Sequence, residues 1–358
     1  MFTAAAVAAA AVSSGLLGAL NAAGVPPVSV PLDVARKVED GTRPLARRPP
    51  AVAEYRIAFL GDSTATYYPG LHAVPAQLQR ALGPLRRDGM SARVYSFGFP
   101  AMGPFEYYFL ADLVLSARPD QVVLSFNLAA PSERWRRIYA RPELAGWIAA
   151  ARLLEAVRLP LHWVGVSLDD LLLYTGIVHS GASETWWWLR REHARVQKGW
   201  DTLQAHFGQK APARAERNAA FEPGAGLSRF GRSRIRELYG SSLDGLNTDH
   251  PVLRLMAAAV HSFVGAGVPV VVYVVPANVD LFERLGVLDE AGLGVTLANL
   301  RRSVEGAGGV LVDLHALLPD AGFRDAGGHF EFEAPLDGPR LVAERLAPVI
   351  RERAVRRR

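Results

Sequence analysis

"YRIAFLGDSTATYYPG" (55–70) decides how this chain is read. Tyr55 to Leu60 carries the β-branched and aromatic content of a short buried strand that ends at Gly61. Asp62 and Ser63 then occupy a turn, and "PAQLQRALGPL" from Pro75 reads as a helix. A serine at the C-terminal end of a strand is suited to chemistry, because ligands of open α/β sheets bind along that edge. A serine that only caps the turn would look the same locally, so the rest of the chain has to discriminate.

Outward from this stretch, apolar strand-like runs alternate with helical ones. "ARVYSFGF" (92–99), "QVVLSFNLA" (121–129), "VPVVVYVVPAN" (268–278) and "GGVLVDLHALL" (308–318) read as four further strands. Continuous Val-rich runs suit strands covered on both faces of a parallel sheet. Helical patterns fall at 105–117, 252–265 and 293–306, and an amphipathic one closes the chain at 338–355. The expected fold is therefore a three-layer, doubly wound α/β domain of about five mainly parallel strands. Residues 132–250 break the alternation. They are rich in Trp and Arg, with Trp186, Trp187 and Trp188 in a row. They read as a mostly helical insertion, turning irregular and Gly/Arg-rich over 208–248. Because the insertion follows the third strand, it is expected to pack beside the active-site edge. Its tryptophans suit a packed core first, and a glycan or membrane surface second.

Composition sets the outer limits. The 358 residues are 50% hydrophobic and 21% charged, which predicts a packed core rather than disorder. Without cysteine, thiol catalysis, disulfides and thiolate metal sites are excluded. The net charge of +5 owes much to Arg351, Arg353, Arg356, Arg357 and Arg358, read as a solvated basic tail over 351–358. Arginine and alanine are abundant and lysine scarce, a pattern of codon bias, so no nucleic-acid partner is inferred. Residues 1–32 carry no charge, and 2–24 are Ala-rich and apolar, suiting a signal sequence or a membrane-anchor helix. Either places the chain at the cell envelope, although the arginines after the segment leave a cytoplasmic location open. A Pro/Arg-rich linker is expected over 33–54, and the α/β domain over 55–350.

A nucleophilic serine needs a base, and the base an orienting acid. Of nine histidines, His329 lies in a Gly-rich loop directly before the last helix, with Asp325 four residues earlier. Asp313 with His315, and Asp249 with His250, are the competing pairs and rank lower. With these residues in view, "FLGDS" after the first strand, a glycine after the second, an asparagine after the third and a late Asp-to-His loop resemble the SGNH (GDSL) hydrolase superfamily. That resemblance implies Ser63 as nucleophile, His329 as base and Asp325 as its acid. It implies an oxyanion hole made by the Ser63 and Gly98 N–H groups and the Asn127 amide, with Asp62 supporting. It further implies no metal and no cofactor. The chain departs from the family at four places, one being the glycine that follows His329, which comes late, at Gly338. Ser125-Phe126-Asn127-Leu128 stands where Gly-x-Asn-Asp is usual, Ser96 stands for an asparagine, and Asp325 and His329 are four apart rather than three. The hydrophobic N-terminus and the large insertion look like envelope members of the alginate O-acetyltransferase or DltD-like type. These imply acyl-ester chemistry on a cell-surface polysaccharide, by hydrolysis or transfer. The alternative expectation is a catalytically silent envelope protein of the same fold, used for binding or assembly.

Overall fold

The structure, a computed structural model, describes residues 43–46, 54–83, 91–99, 101–132, 135, 231–325, 328–333 and 335–356. The chain divides into two compact units, one of Met1–Ala35 with Arg141–Ala219 and one of Arg36–Ala140 with Ala220–Arg358. Every described residue belongs to the second unit. The N-terminal apolar segment, the tryptophan cluster and most of the expected insertion lie outside the described residues. No helix among the described residues is long and apolar enough to cross a membrane.

The second unit is a three-layer α/β domain. Its strands are β1 (Glu54–Leu60), β2 (Ser91–Ser96), β3 (Gln121–Phe126), β4 (Val270–Val274) and β5 (Val310–Asp313). They pair in the order β2-β1-β3-β4-β5, every neighbour parallel. Burial follows that order. The three inner strands are buried at every residue, whereas β2 and β5 at the edges alternate. This explains the unbroken apolar runs at β1, β3 and β4, since helices cover both faces and no position faces water.

Helices α1 (Ser63–Thr66), α2 (Val74–Leu82), α3 (Pro104–Phe109) and α4 (Ala111–Ser116) connect the first three strands. The expected helix over 105–117 is thus two, broken at Leu110. Helices α5 (Arg232–Leu243) and α6 (Pro251–Gly265) lead into β4, α7 (Val279–Arg284) and α8 (Glu290–Gly306) into β5, and α9 (Gly338–Arg356) ends the unit. One face of the sheet presents Ile57, Phe59, Val123, Val271 and Tyr273 to α2 and α9, through Leu78, Val342, Leu346 and Ile350. Alternation along the strands turns Ala58, Leu60, Val122, Leu124 and Val272, all fully buried, toward the other layer.

Three expectations need correction. The stretch 208–248 is not irregular throughout, because α5 occupies part of it. Ile235, Tyr239 and Leu243 recur every fourth residue and bury one helical face. The flanking glycines and arginines obscure that stripe in the sequence. The linker over 33–54 includes a helical turn at 43–46 whose Leu45 is completely buried. The basic tail is not wholly solvated: α9 runs to Arg356, one residue beyond the helix expected over 338–355, and the Arg351 guanidinium donates to the carbonyls of Ala81 and Leu82 at the end of α2. Those carbonyls have no intrahelical donor, so a cation there is favourable.

Replacing Leu346 by Ala should cost about 2–5 kcal/mol of unfolding free energy, because it opens a cavity between α9 and the sheet. Exposed Arg345 on the same helix should tolerate alanine within about 0.5 kcal/mol. Urea denaturation of the two variants checks the assignment of the last helix to the core.

Candidate functional site

The strand order places the site. The chain leaves β1 toward β2 on one side and returns to β3 on the other, so the connections diverge at the carboxyl ends of β1 and β3. A crevice opens at such a reversal. Asp62 and Ser63 follow β1, and Asn127 follows β3, so they face one another across it. Gly98 follows β2, and the loop between β5 and α9 supplies Asp325 and His329.

Asp62 caps α1, accepting hydrogen bonds at Oδ1 from the Thr64 N–H at 3.0 Å and from the Thr64 hydroxyl. Its Oδ2 accepts from Asn127 Nδ2 at 2.8 Å, while Asn127 Oδ1 accepts from the Ala129 N–H at 2.9 Å. Burial pushes the Asp62 carboxyl above its usual pKa despite these donors. Ser63 is the first residue of α1, where a backbone N–H has no intrahelical acceptor. Gly98 is a steric necessity. A Cβ there would lie 2.3 Å from the Gly61 carbonyl oxygen and 2.6 Å from Thr66 Cγ2, so its peptide presses on the segment that carries Ser63.

The late loop folds back as a narrow turn. Phe323 and Phe330 form an antiparallel bridge, and the Arg324 N–H donates to the His329 carbonyl at 2.8 Å. Between these anchors, Asp325 Oδ1 accepts the His329 N–H at 3.1 Å, and Asp325 Oδ2 meets His329 Nδ1 at 2.7 Å. The spacing of four residues is thus closed by one carboxylate holding both the backbone and the ring of His329. His329 Nε2 lies 3.0 Å from Ser63 Oγ, a contact across 266 residues of chain. Burial pushes the imidazole pKa down. The hydrogen bond and charge of Asp325, with the charge of Asp62, outweigh it and raise it above the usual 6.5.

Ser63, His329 and Asp325 are therefore brought together in one hydrogen-bonded line. Asp62 and Asn127 form a second pair beside it. One Asn127 N–H is spent on Asp62, leaving the other as the amide's remaining donor. The competing pairs do not join. His315 Nδ1 meets Asp313 Oδ1 at 2.8 Å at the end of β5, where the carboxylate is held below its usual pKa. Burial alone would raise it, but the hydrogen bonds and charge of His315 prevail. No serine completes that pair among the described residues. His250 caps α6, its Nδ1 accepting from the Val252 N–H. Among the described residues, no three acidic or histidine side chains converge as metal ligands would.

Two tyrosines at the site escaped the reading of the sequence. Tyr68 Oη accepts from the Phe330 N–H at 2.9 Å, and its ring stacks on Phe330 at 6.3 Å. It ties the loop carrying His329 to the segment carrying Ser63. Its only local signal is the aromatic pair that follows "GDSTAT". Tyr239 of α5 places its hydroxyl against Gly328, where a Cβ would sit 3.4 Å from it, at a positive φ of 88° that favours glycine. No family model matches the chain, and no curated protein matches it.

Tyr68→Phe should orphan the Phe330 N–H, cost about 1–3 kcal/mol of stability, and loosen the His329–Ser63 contact. Chemical denaturation, together with imidazole NMR of His329 in the variant, reads both effects. Gly98→Ala should cost about 1–3 kcal/mol or more through overpacking against Gly61, measurable as a lowered Tm.

Proposed function

We propose that the chain is a serine-dependent acyl-ester hydrolase or O-acyltransferase of SGNH type, acting through an acyl-serine intermediate. The observation that carries this reading is the unbroken line from Ser63 Oγ to His329 Nε2 at 3.0 Å and from His329 Nδ1 to Asp325 at 2.7 Å.

In this mechanism the Ser63 hydroxyl donates to neutral Nε2 and then attacks the acyl carbonyl carbon. The proton passes to Nε2, and Asp325 stabilises the imidazolium while fixing the tautomer. Negative charge collects on the former carbonyl oxygen. Three donors are available to it: the Ser63 N–H at the start of α1, the Gly98 N–H and the second N–H of Asn127. Donors of this kind are worth about 3 kcal/mol each in the transition state. Asp62 orients Asn127 and the first turn of α1, so it acts through them. Collapse expels the alcohol, which takes its proton from His329. Water or a sugar hydroxyl, deprotonated by His329 in turn, then attacks the acyl-serine and frees Ser63. The first acceptor gives hydrolysis and the second gives transfer. A cell-envelope polysaccharide is the proposed ester or acceptor, and the apolar N-terminus the proposed export or anchoring segment.

A fluorophosphonate should modify the wild-type protein at Ser63 and leave Ser63→Ala unmodified. Hydrolysis of p-nitrophenyl acetate should fall at least about 10³-fold in that variant. Absence of labelling at Ser63 would favour the silent binding protein. Repeating the assay with an oligosaccharide acceptor separates transfer from hydrolysis.

The pH profile supplies a second check. His329 must be neutral to take the proton, so kcat/KM should drop as pH falls through a pKa above 6.5. Asp325→Asn removes the hydrogen bond and charge that do most to raise that pKa, leaving the charge of Asp62 against burial, which lowers it. The acid limb should therefore move to lower pH, with kcat reduced roughly 10³–10⁴-fold.

A further inference from the structure

Arg324 directly precedes Asp325 on the loop that carries His329, and the mechanism above leaves it without a task. Its guanidinium lies 4.6 Å over the ring of Phe332. The side chain is half-buried, and its Nε is enclosed with no hydrogen-bond partner. Among the described residues no carboxylate pairs with it. Of the two glutamates next along the chain, Glu331 accepts the Phe332 N–H at 3.1 Å, and Glu333 is exposed and forms no ion pair with Arg324. Phe332 in turn touches Tyr68 and His72, with centroids 5.9 and 5.2 Å away, and His72 Nδ1 is likewise enclosed and unpartnered. The chain joins this cluster to the nucleophile turn, and there Tyr67 and Leu71 are 65% and 59% exposed. An arginine held over an aromatic ring keeps its fork of donors oriented, the arrangement that suits planar oxyanions.

Resting on the proposed ester chemistry, we propose that Arg324 is the specificity residue for an ester whose alcohol portion bears a carboxylate or phosphate. The side of the site follows from proton traffic. His329 hands its proton to the departing alcohol oxygen, so the alcohol lies along the His329 loop, whereas the acyl oxygen faces Gly98 and Asn127. Arg324 shares that loop with His329, and its charge is felt at His329, whose pKa it lowers. Exposed Tyr67, whose N–H donates to the Ser63 carbonyl at 3.0 Å, offers surface for the body of the same alcohol.

Matched aryl acetates test this: 3-carboxyphenyl, 3-phosphonophenyl and neutral 3-carbamoylphenyl acetate, assayed on the full chain alongside fluorophosphonate labelling. The expected result is a kcat/KM ratio of anionic to neutral ester of roughly tenfold or more, as for a charge-assisted bond to a half-buried cation. That ratio should fall toward one in Arg324→Gln, survive in part in Arg324→Lys, and shrink as salt is raised. The ratio of carboxylate to phosphonate rates tells which anion is preferred. Labelling and hydrolysis with no anionic preference, or a preference that Arg324→Gln leaves intact, overturn the assignment of Arg324 while the ester chemistry stands. No labelling and no hydrolysis of any of the three overturn the ester chemistry, and the assignment with it.

Discussion

The site is organised around a carboxylate that water does not reach. Asp62 is fully buried, and it spans the crevice between β1 and β3 by accepting from Thr64 on its own side and from Asn127 on the other. Hydrogen bonds to a charged group contribute about 1.5–3 kcal/mol each, whereas burying a carboxylate costs several. Burial prevails here, since the carboxyl pKa is raised. The same bonds fix the first turn of α1 and the Asn127 amide on either side of the crevice. A carbon isostere of Asp62 would spare the desolvation and leave the Thr64 donors and the Asn127 Nδ2 bond without their acceptor.

The second constraint is the narrow turn from Phe323 to Phe330. A loop of this length loses considerable entropy when ordered. It is held by the paired Phe323 and Phe330, by the Arg324 N–H on the His329 carbonyl, and by Tyr68 from the opposite segment. Asp325 thus has a dual task, bonding the backbone N–H of His329 and orienting its ring. That double contact accounts for the four-residue spacing. With one more residue than the three usual in the resembled family, the turn still closes, through a glycine at positive φ at Gly328.

The parallel sheet makes both constraints possible. Parallel strands all end on one edge, so groups from the ends of β1, β2 and β3 and from the loop after β5 meet without any of them being close in sequence. Gly98 shows how tight the meeting is, since even a methyl group would collide with the Gly61 carbonyl.

Much of this was legible in the residues alone. Apolar runs and their alternation with helical patterns gave the five strands, their buried character and the three layers, because burial on both faces leaves a compositional trace at every position. The serine after β1 and the Asp–His loop before α9 were legible through their places at element ends. What only the tertiary structure decided were matters of distance between remote segments. These are the 3.0 Å contact between His329 and Ser63, the partner of Asn127, and the roles of Tyr68 and Tyr239. Helix α5 and the docking of Arg351 onto α2 belong with them. In each case the local sequence is compatible with several partners, and the selection is made by which strand ends and loops the sheet order brings within hydrogen-bonding reach.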